Sequence, residues 1–291
     1  VEFMKNKQRF MIKARKEVIL SAGTIGSAQI LMLSGVGPKE DLEKFSIPVY
    51  SNLKVGYNLQ DHASLSALTF LINQPAGTVV EQEMRRPRYV LDYTFFNRGP
   101  LTLPAGAEGI AFVKTNTSFL PPDVPDIELV MGIGAFTGDA SGFLRNVFGI
   151  PKSFTDRVFG SVYGRHAFTI APVLMKPKSR GRISLKSKNP FHWPHLRPNF
   201  YSNKDDLVVL REGVKLAVQV GESKAFRRFG AKFHDVPFVG CEDLRFRSDE
   251  YWDCCIRRIA SSLQHQVGTC KMGIGSDAVV DPQLKGCLLY T

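Results

Sequence analysis

Imidazole is the side chain that exchanges a proton near neutral pH. Of the six histidines in the chain, His265 has the most suggestive setting, Gln264-His265-Gln266-Val267-Gly268-Thr269-Cys270-Lys271-Met272-Gly273. Gly268 lets the backbone turn closely beneath a planar ligand, and Thr269 can bond locally and hold that turn. A lone histidine is more often structural. His192 and His195, in Phe191-His192-Trp193-Pro194-His195, read that way, and His166 and His234 have no supporting context. A second place for chemistry is Ser21-Ala22-Gly23, where small side chains at a strand end would let a cofactor reach the backbone. An ordinary strand-to-helix turn explains those three residues equally well.

Other chemistries find no support. Gly132-Ile133-Gly134 follows a candidate strand, but its next glycine, Gly138, comes one residue too late for a dinucleotide fingerprint. There is no Walker loop, no serine nucleophile elbow and no His-Glu-x-x-His. The five cysteines contain no Cys-x-x-Cys pair, and no histidine stands at ligand spacing from them, which argues against zinc and any other metal. Cys241 can bridge to Cys254 or to Cys255, and spacing leaves both open. Asn116-Thr117-Ser118 is a glycosylation acceptor that matters only in a secreted protein. The formal charge is +11, from 38 basic and 27 acidic side chains. Its densest group, Lys5, Lys7, Arg9, Lys13, Arg15 and Lys16, alternates with apolar residues, as the solvated face of a sheet does. A nucleic-acid partner is therefore not expected. No apolar run approaches the roughly 18 residues of a membrane span, so no transmembrane segment is expected.

The elements that must position these residues show in the hydrophobic pattern. Val1 to Met4 and Arg9 to Ile12 flank a polar turn and read as a hairpin. Glu17-Val18-Ile19-Leu20 predicts a short buried strand. It leads through Ser21-Ala22-Gly23 into a helix carrying Ile25, Ala28 and Met32 on one face, the unit of a parallel nucleotide-binding sheet. A short helix over Lys39 to Phe45 and a strand over Ile47-Pro48-Val49-Tyr50 should follow. Beyond His62 the pattern changes. Ser66 to Phe70, Gly109 to Val113, Asp126 to Val130, Ala167 to Ile170 and Arg182 to Leu185 read as strands of a mostly antiparallel sheet. Two helices come later. One is capped by Asp205 or Asp206 and carries Leu207, Leu210, Val214, Ala217 and Gly221; the other is capped by Ser248 and carries Trp252, Cys255, Ile256 and Ile259.

Four stretches, in this order, resemble the glucose–methanol–choline oxidoreductases. Gly23 to Gly37 looks like that family's second signature, with Ala28 where Pro or Ser is usual. Val55-Gly56-Tyr57-Asn58-Leu59-Gln60-Asp61-His62 is similar to its lead into the substrate domain. Pro177 to Leu185 resembles the strand that opens its C-terminal region. His265 to Gly273, followed by Val279-Val280-Asp281-Pro282, is similar to its catalytic-histidine segment, with Gln266 in place of a common Pro. Within the family the wording of these motifs is most like the insect glucose dehydrogenases that pass electrons to a quinone.

The resemblance implies an α/β plus α+β architecture. Residues 1–62 would be the remnant of a Rossmann-like FAD-binding domain, and residues 63–260 a substrate domain on a mostly antiparallel sheet flanked by helices. Residues 261–291 would begin a catalytic segment returning to the FAD domain. The implied cofactor is FAD, bound through Ser21, Ala22, Gly23, Asn58, His62, Gly268 and Thr269. The implied reaction moves hydride from the CH–OH group of an alcohol or sugar to the flavin, with His265 as proton acceptor and quinone or oxygen as electron acceptor. The substrate pocket is expected around Thr102 to Glu108 and Ile127 to Met131. The start at Val1 and the finish at Tyr290-Thr291 are expected to be cuts in a longer protein. The family's glycine-rich pyrophosphate turn and its second catalytic His or Asn find no match here, so residues 1–291 are expected to bind FAD poorly and turn over little. Where the protein resides is left open. A second reading keeps the fold as a binding or structural module without catalysis.

Overall fold

The computed structural model describes residues 1–73, 81–84, 86–102 and 106–286. In chain order it contains β1 (Glu2–Lys5), β2 (Gln8–Met11), α1 (Gly23–Leu33), α2 (Lys39–Glu43), β3 (Ala63–Ser64), β4 (Thr69–Leu71), α3 (Glu81–Met84) and α4 (Pro87–Phe96). There follow β5 (Ala107–Val113), β6 (Ile127–Gly132), α5 (Phe143–Val147), α6 (Lys152–Phe159), β7 (Ala167–Leu174), β8 (Arg182–Ser184) and β9 (His195–Arg197). The last elements are α7 (Lys204–Gly221), α8 (Lys224–Arg227), β10 (Lys232–Phe233), α9 (Asp249–Ile259) and β11 (Ser261–Ser262). The chain forms two compact units: Val1–Leu59 with Gly181–Pro198 and Val267–Thr291, and Gln60–Arg180 with Asn199–Gln266.

The first unit opens with the β1–β2 hairpin, whose turn residues Asn6 and Lys7 both sit at positive φ, +52° and +63°. Its eight strand residues are all exposed, the apolar Phe3, Met4, Phe10 and Met11 included, whereas the alternation predicts one solvated face. Ala28 and Met32 turn α1 inward. They join Val36, Leu42, Ile47, Leu53, Val55, Leu59, Ile183, Leu185 and Val279 in one core. Two predicted strands do not form. Glu17 to Leu20 is irregular, with Val18 62% and Ile19 82% exposed, because nothing among the described residues pairs with it. A strand exists only through its neighbours. Ile47 to Tyr50 likewise stays irregular, and only the Val36–Ser51 bridge forms beside it.

The second unit is built on a seven-stranded sheet in which every pairing is antiparallel. β7 is the spine: β6 pairs along one edge, while β4 and β3 share the other. α7 packs on β7 and β6, and α9 packs on α7. The predicted stripe Leu207, Leu210, Val214, Ala217 and Gly221 is buried along α7. Its cap is neither Asp205 nor Asp206. Asn203 accepts from the Asp205 N–H at 3.0 Å, while Asp206 turns away and accepts from the Lys178 and Ser179 amides at 2.7 and 2.8 Å. Ser248 does cap α9, accepting from the Tyr251 N–H at 3.2 Å. The disulfide joins Cys241 to Cys254, and Cys255 remains a buried thiol. Cys287 lies outside the described residues, as do residues 288–291.

The expected second domain, a continuous run from 63 to 260, is interrupted. Residues 181–198 belong to the first unit, where Ile183 donates its N–H to the Gly56 carbonyl at 2.7 Å and buries its side chain. Gly181 and Leu59 exchange two backbone hydrogen bonds in the same unit. Main-chain pairing across more than a hundred residues decides membership here, and a hydropathy pattern does not register it.

Candidate functional site

The histidine of interest is brought into place by a short ladder. β11 pairs with β3, Ser262 opposite Ala63 and Ser261 opposite Ser64. The pairing continues one residue outward, where Leu263 donates its N–H to the His62 carbonyl at 3.1 Å. Residues 61 and 62 therefore lie beside residues 263 to 266. Gln264, at φ +63°, turns the chain sharply there.

Asp61 organises that turn. Its side chain is only 6% exposed. One carboxylate oxygen accepts the His265 backbone N–H at 2.9 Å. The other accepts the Ser262 hydroxyl and the Gln266 side-chain amide, the latter at 3.3 Å. Ser262 Oγ in turn accepts the Gln264 N–H at 2.9 Å. A buried carboxylate needs such donors to offset lost hydration, and charge-assisted bonds of this kind are the strong ones. Nothing in the sequence marks Asp61, Ser262 and Gln266 as partners, since they are two hundred residues apart. Asp61 was visible only as the neighbour of His62.

The two imidazoles meet directly. His62 Nδ1 and His265 Nδ1 are 3.1 Å apart, with ring centroids at 5.2 Å and planes at 78°. His62 is half-buried and His265 exposed. Burial, above all, lowers the His62 pKa from its ordinary 6.5, and the neighbouring His265 lowers it further. The Met175 backbone as hydrogen-bond acceptor and the charges of Asp61 and Glu128 pull the other way. Which ring donates across this contact is set by the ring tautomers.

In the first unit, three of the residues expected to bind cofactor form one cluster. Asn58, at φ +60°, donates its side-chain amide to the Gly268 carbonyl at 3.1 Å. Gly268 itself sits at φ +96°, a conformation that favours glycine. The Thr269 hydroxyl donates to the Thr24 carbonyl at 2.6 Å, and the Thr269 carbonyl accepts the Gly56 N–H at 2.8 Å. The turn at 268–269 is thus fastened to the first turn of α1. Ser21, Ala22 and Gly23 are exposed, and a Cβ added at Gly23 would meet nothing within 4 Å, so this backbone is open to a ligand. Ala22 donates its N–H to Ser27 Oγ at 3.0 Å.

Other expectations fall elsewhere. Ile127 and Leu129 are buried in the core of the second unit and do not line a pocket, whereas Glu128 alternates to the face that acts on His62. Part of the expected pocket loop, residues 103–105, lies outside the described residues. His234 donates from Nε2 to the Val158 carbonyl at 2.6 Å, and His192 bonds Ser187 at 2.8 Å. Among the described residues no cluster of His, Cys, Asp and Glu could hold a metal. No described helix is long and apolar enough to cross a membrane.

Family models described as GMC oxidoreductase match residues 1–64 and 177–287. The chain belongs to the GMC oxidoreductase family. It is 31% identical over 281 residues to Glucose dehydrogenase [FAD, quinone] of Drosophila pseudoobscura pseudoobscura, covering 94% of this chain and 41% of that protein. It is 34% identical over 288 residues to Ecdysone oxidase of Bombyx mori, covering 98% and 41%. Against human mitochondrial Choline dehydrogenase the identity is 32% over 307 residues, covering 98% and 44%. The chain thus spans somewhat under half the length of these curated relatives. A solved formate oxidase variant from Aspergillus oryzae RIB40 has the same fold, with TM-score 0.78 at 23% identity over 96% of this chain and 49% of that one.

Proposed function

We propose that the protein containing this chain is an FAD-dependent oxidoreductase that oxidises the CH–OH group of a small alcohol or sugar, with His265 as the proton acceptor. The observation that carries this reading is the setting of His265. Its backbone is tied to a buried carboxylate, its Nδ1 is engaged by His62, and its ring is otherwise exposed. A base held in one orientation is what proton abstraction from a bound hydroxyl requires. The family and the names of its relatives supply the redox half of the proposal.

The residues present fit the cofactor. The open backbone at Ser21, Ala22 and Gly23 and the turn fastened by Asn58, Gly268 and Thr269 would hold it, and FAD when bound supplies the acceptor for the carbinol hydride. His265 takes the hydroxyl proton, and Asp61 keeps its loop from moving. The electron acceptor that regenerates the flavin is a quinone or oxygen, and oxygen uptake against quinone-dye reduction distinguishes them.

The test is anaerobic flavin reduction in the whole protein. His265→Ala should retain flavin and reduce it about 10²–10⁴-fold more slowly. Reduction at the unaltered rate would remove His265 from the mechanism.

A further inference from the structure

We infer that Asn116 is an N-glycosylation site and that the protein passes through an oxidising, glycosylating compartment. The inference goes beyond the catalytic reading and does not depend on it.

The sequence holds one Asn-x-Ser/Thr triplet, Asn116-Thr117-Ser118, with no proline at its centre. It lies on the connection between β5 and β6, at the end where Val113 pairs with Ile127. That connection is fastened from within. Thr115 is buried, and the buried Asp126 carboxylate accepts its N–H at 2.9 Å and its hydroxyl at 2.7 Å. The Lys114 ammonium donates to the carbonyls of Leu120, Pro121 and Val124 at 2.8, 2.5 and 3.2 Å. These bonds tie down both sides of the triplet, and the residues between them turn outward. Ser118 donates its N–H to the Thr115 carbonyl at 3.2 Å, closing a turn with Asn116 and Thr117 at its two corners. Both corner residues are exposed. A glycan is bulky and hydrated, and a fixed turn that holds its asparagine in water accommodates it without disturbing the core.

The sheet keeps this turn away from the imidazoles. Strands β6 and β7 stand between β5 and β3, the strand that follows His62. Three strand spacings amount to roughly 14 Å. A second observation, from another part of the unit, concerns the compartment. Cys241 and Cys254 form a disulfide, with Cys241 buried. Such bonds persist in oxidising compartments, where Asn-x-Ser/Thr acceptors are also read.

The sugar donor is an oligosaccharide carried on a lipid pyrophosphate. Asn116 Nδ2 forms a bond to the anomeric carbon of that oligosaccharide, and the bond from this carbon to the pyrophosphate oxygen breaks. The lipid pyrophosphate leaves with the electron pair, one Nδ2 proton is released, and nothing is oxidised or reduced.

The experiment expresses the complete coding sequence, with no leader added, in a eukaryotic cell line. The purified protein is digested without reduction, treated with a peptide-N-glycosidase in heavy-oxygen water and mapped by mass spectrometry. Asn116 should be converted to heavy-oxygen-labelled aspartate, and the peptides of Cys241 and Cys254 should remain joined. Ser118→Ala keeps the asparagine but removes the hydroxyl that completes the acceptor, and should abolish the label; Ser118→Thr should retain it. An unlabelled Asn116 in the unaltered protein would overturn the inference, and so would free thiols at Cys241 and Cys254. The unaltered protein alone decides the matter should Ser118→Ala not fold. The map reads neither flavin nor substrate, so its failure is separate from an unaffected His265→Ala reduction rate.

Discussion

Asp61 meets three donors with two oxygens: the His265 N–H, the Ser262 hydroxyl and the Gln266 amide. Truncating it removes the acceptor of three part-buried hydrogen bonds, and a buried donor left unpaired costs roughly 1–3 kcal/mol. Asp61→Ala should therefore lower the urea midpoint of the second unit by an amount equivalent to about 3 kcal/mol. A loss below about 0.5 kcal/mol, the range of an ordinary surface change, would mean the turn is held by something else. His62 makes a prediction of a different kind. In the unfolded chain it takes a proton near 6.5, and in the folded chain only at lower pH. Between those two values the unfolded chain binds more protons, so stability rises with pH through the window and is lost as pH falls through it. Acidifying from about pH 7 to about pH 5 should lower the melting temperature more in the unaltered chain than in His62→Gln. Parallel curves would show that His62 carries no such linkage.

At the scale of elements, the second unit depends on how closely α7 approaches the sheet. Gly221 and Gly213 make that approach, since a Cβ on Gly221 would stand 2.2 Å from the Phe70 ring and one on Gly213 2.8 Å from Ile127. Phe70 is fully buried and stacks on Phe168 at 5.0 Å, so it has no free direction in which to yield. Gly221→Ala should cost about 1–3 kcal/mol by overpacking, although alanine is the better helix former. Thermal or urea unfolding checks it, and a gain in stability would show that the helix end shifts freely.

At the scale of the molecule, the charge of +11 comes from basic residues scattered along the sequence and not gathered into one block. The β1–β2 hairpin carries part of it on fully exposed strands. Scattered cations bind polyanions through counterion release alone. Any affinity for duplex DNA should therefore be weak, fall steeply with salt and ignore base sequence in a filter-binding or anisotropy titration. Sequence-selective binding that survives physiological salt would contradict the enzymatic reading of this surface.

The pattern of residues was enough to indicate the helices α1, α7 and α9 and the strands β5, β6 and β7, because periodicity is a local property. It misjudged Glu17 to Leu20 and Ile47 to Tyr50, where apolar runs find no strand to pair with. It also left the choice between Cys254 and Cys255 open, which the three-dimensional path of the chain decides for Cys254. The Asp61–Ser262–Gln266 cluster, the His62–His265 contact and the placement of residues 181–198 all depend on main-chain pairing between distant segments. Such pairing is a property of the folded backbone. No spacing of residue types along the chain encodes it directly, and so only the tertiary structure could bring the second imidazole to the first.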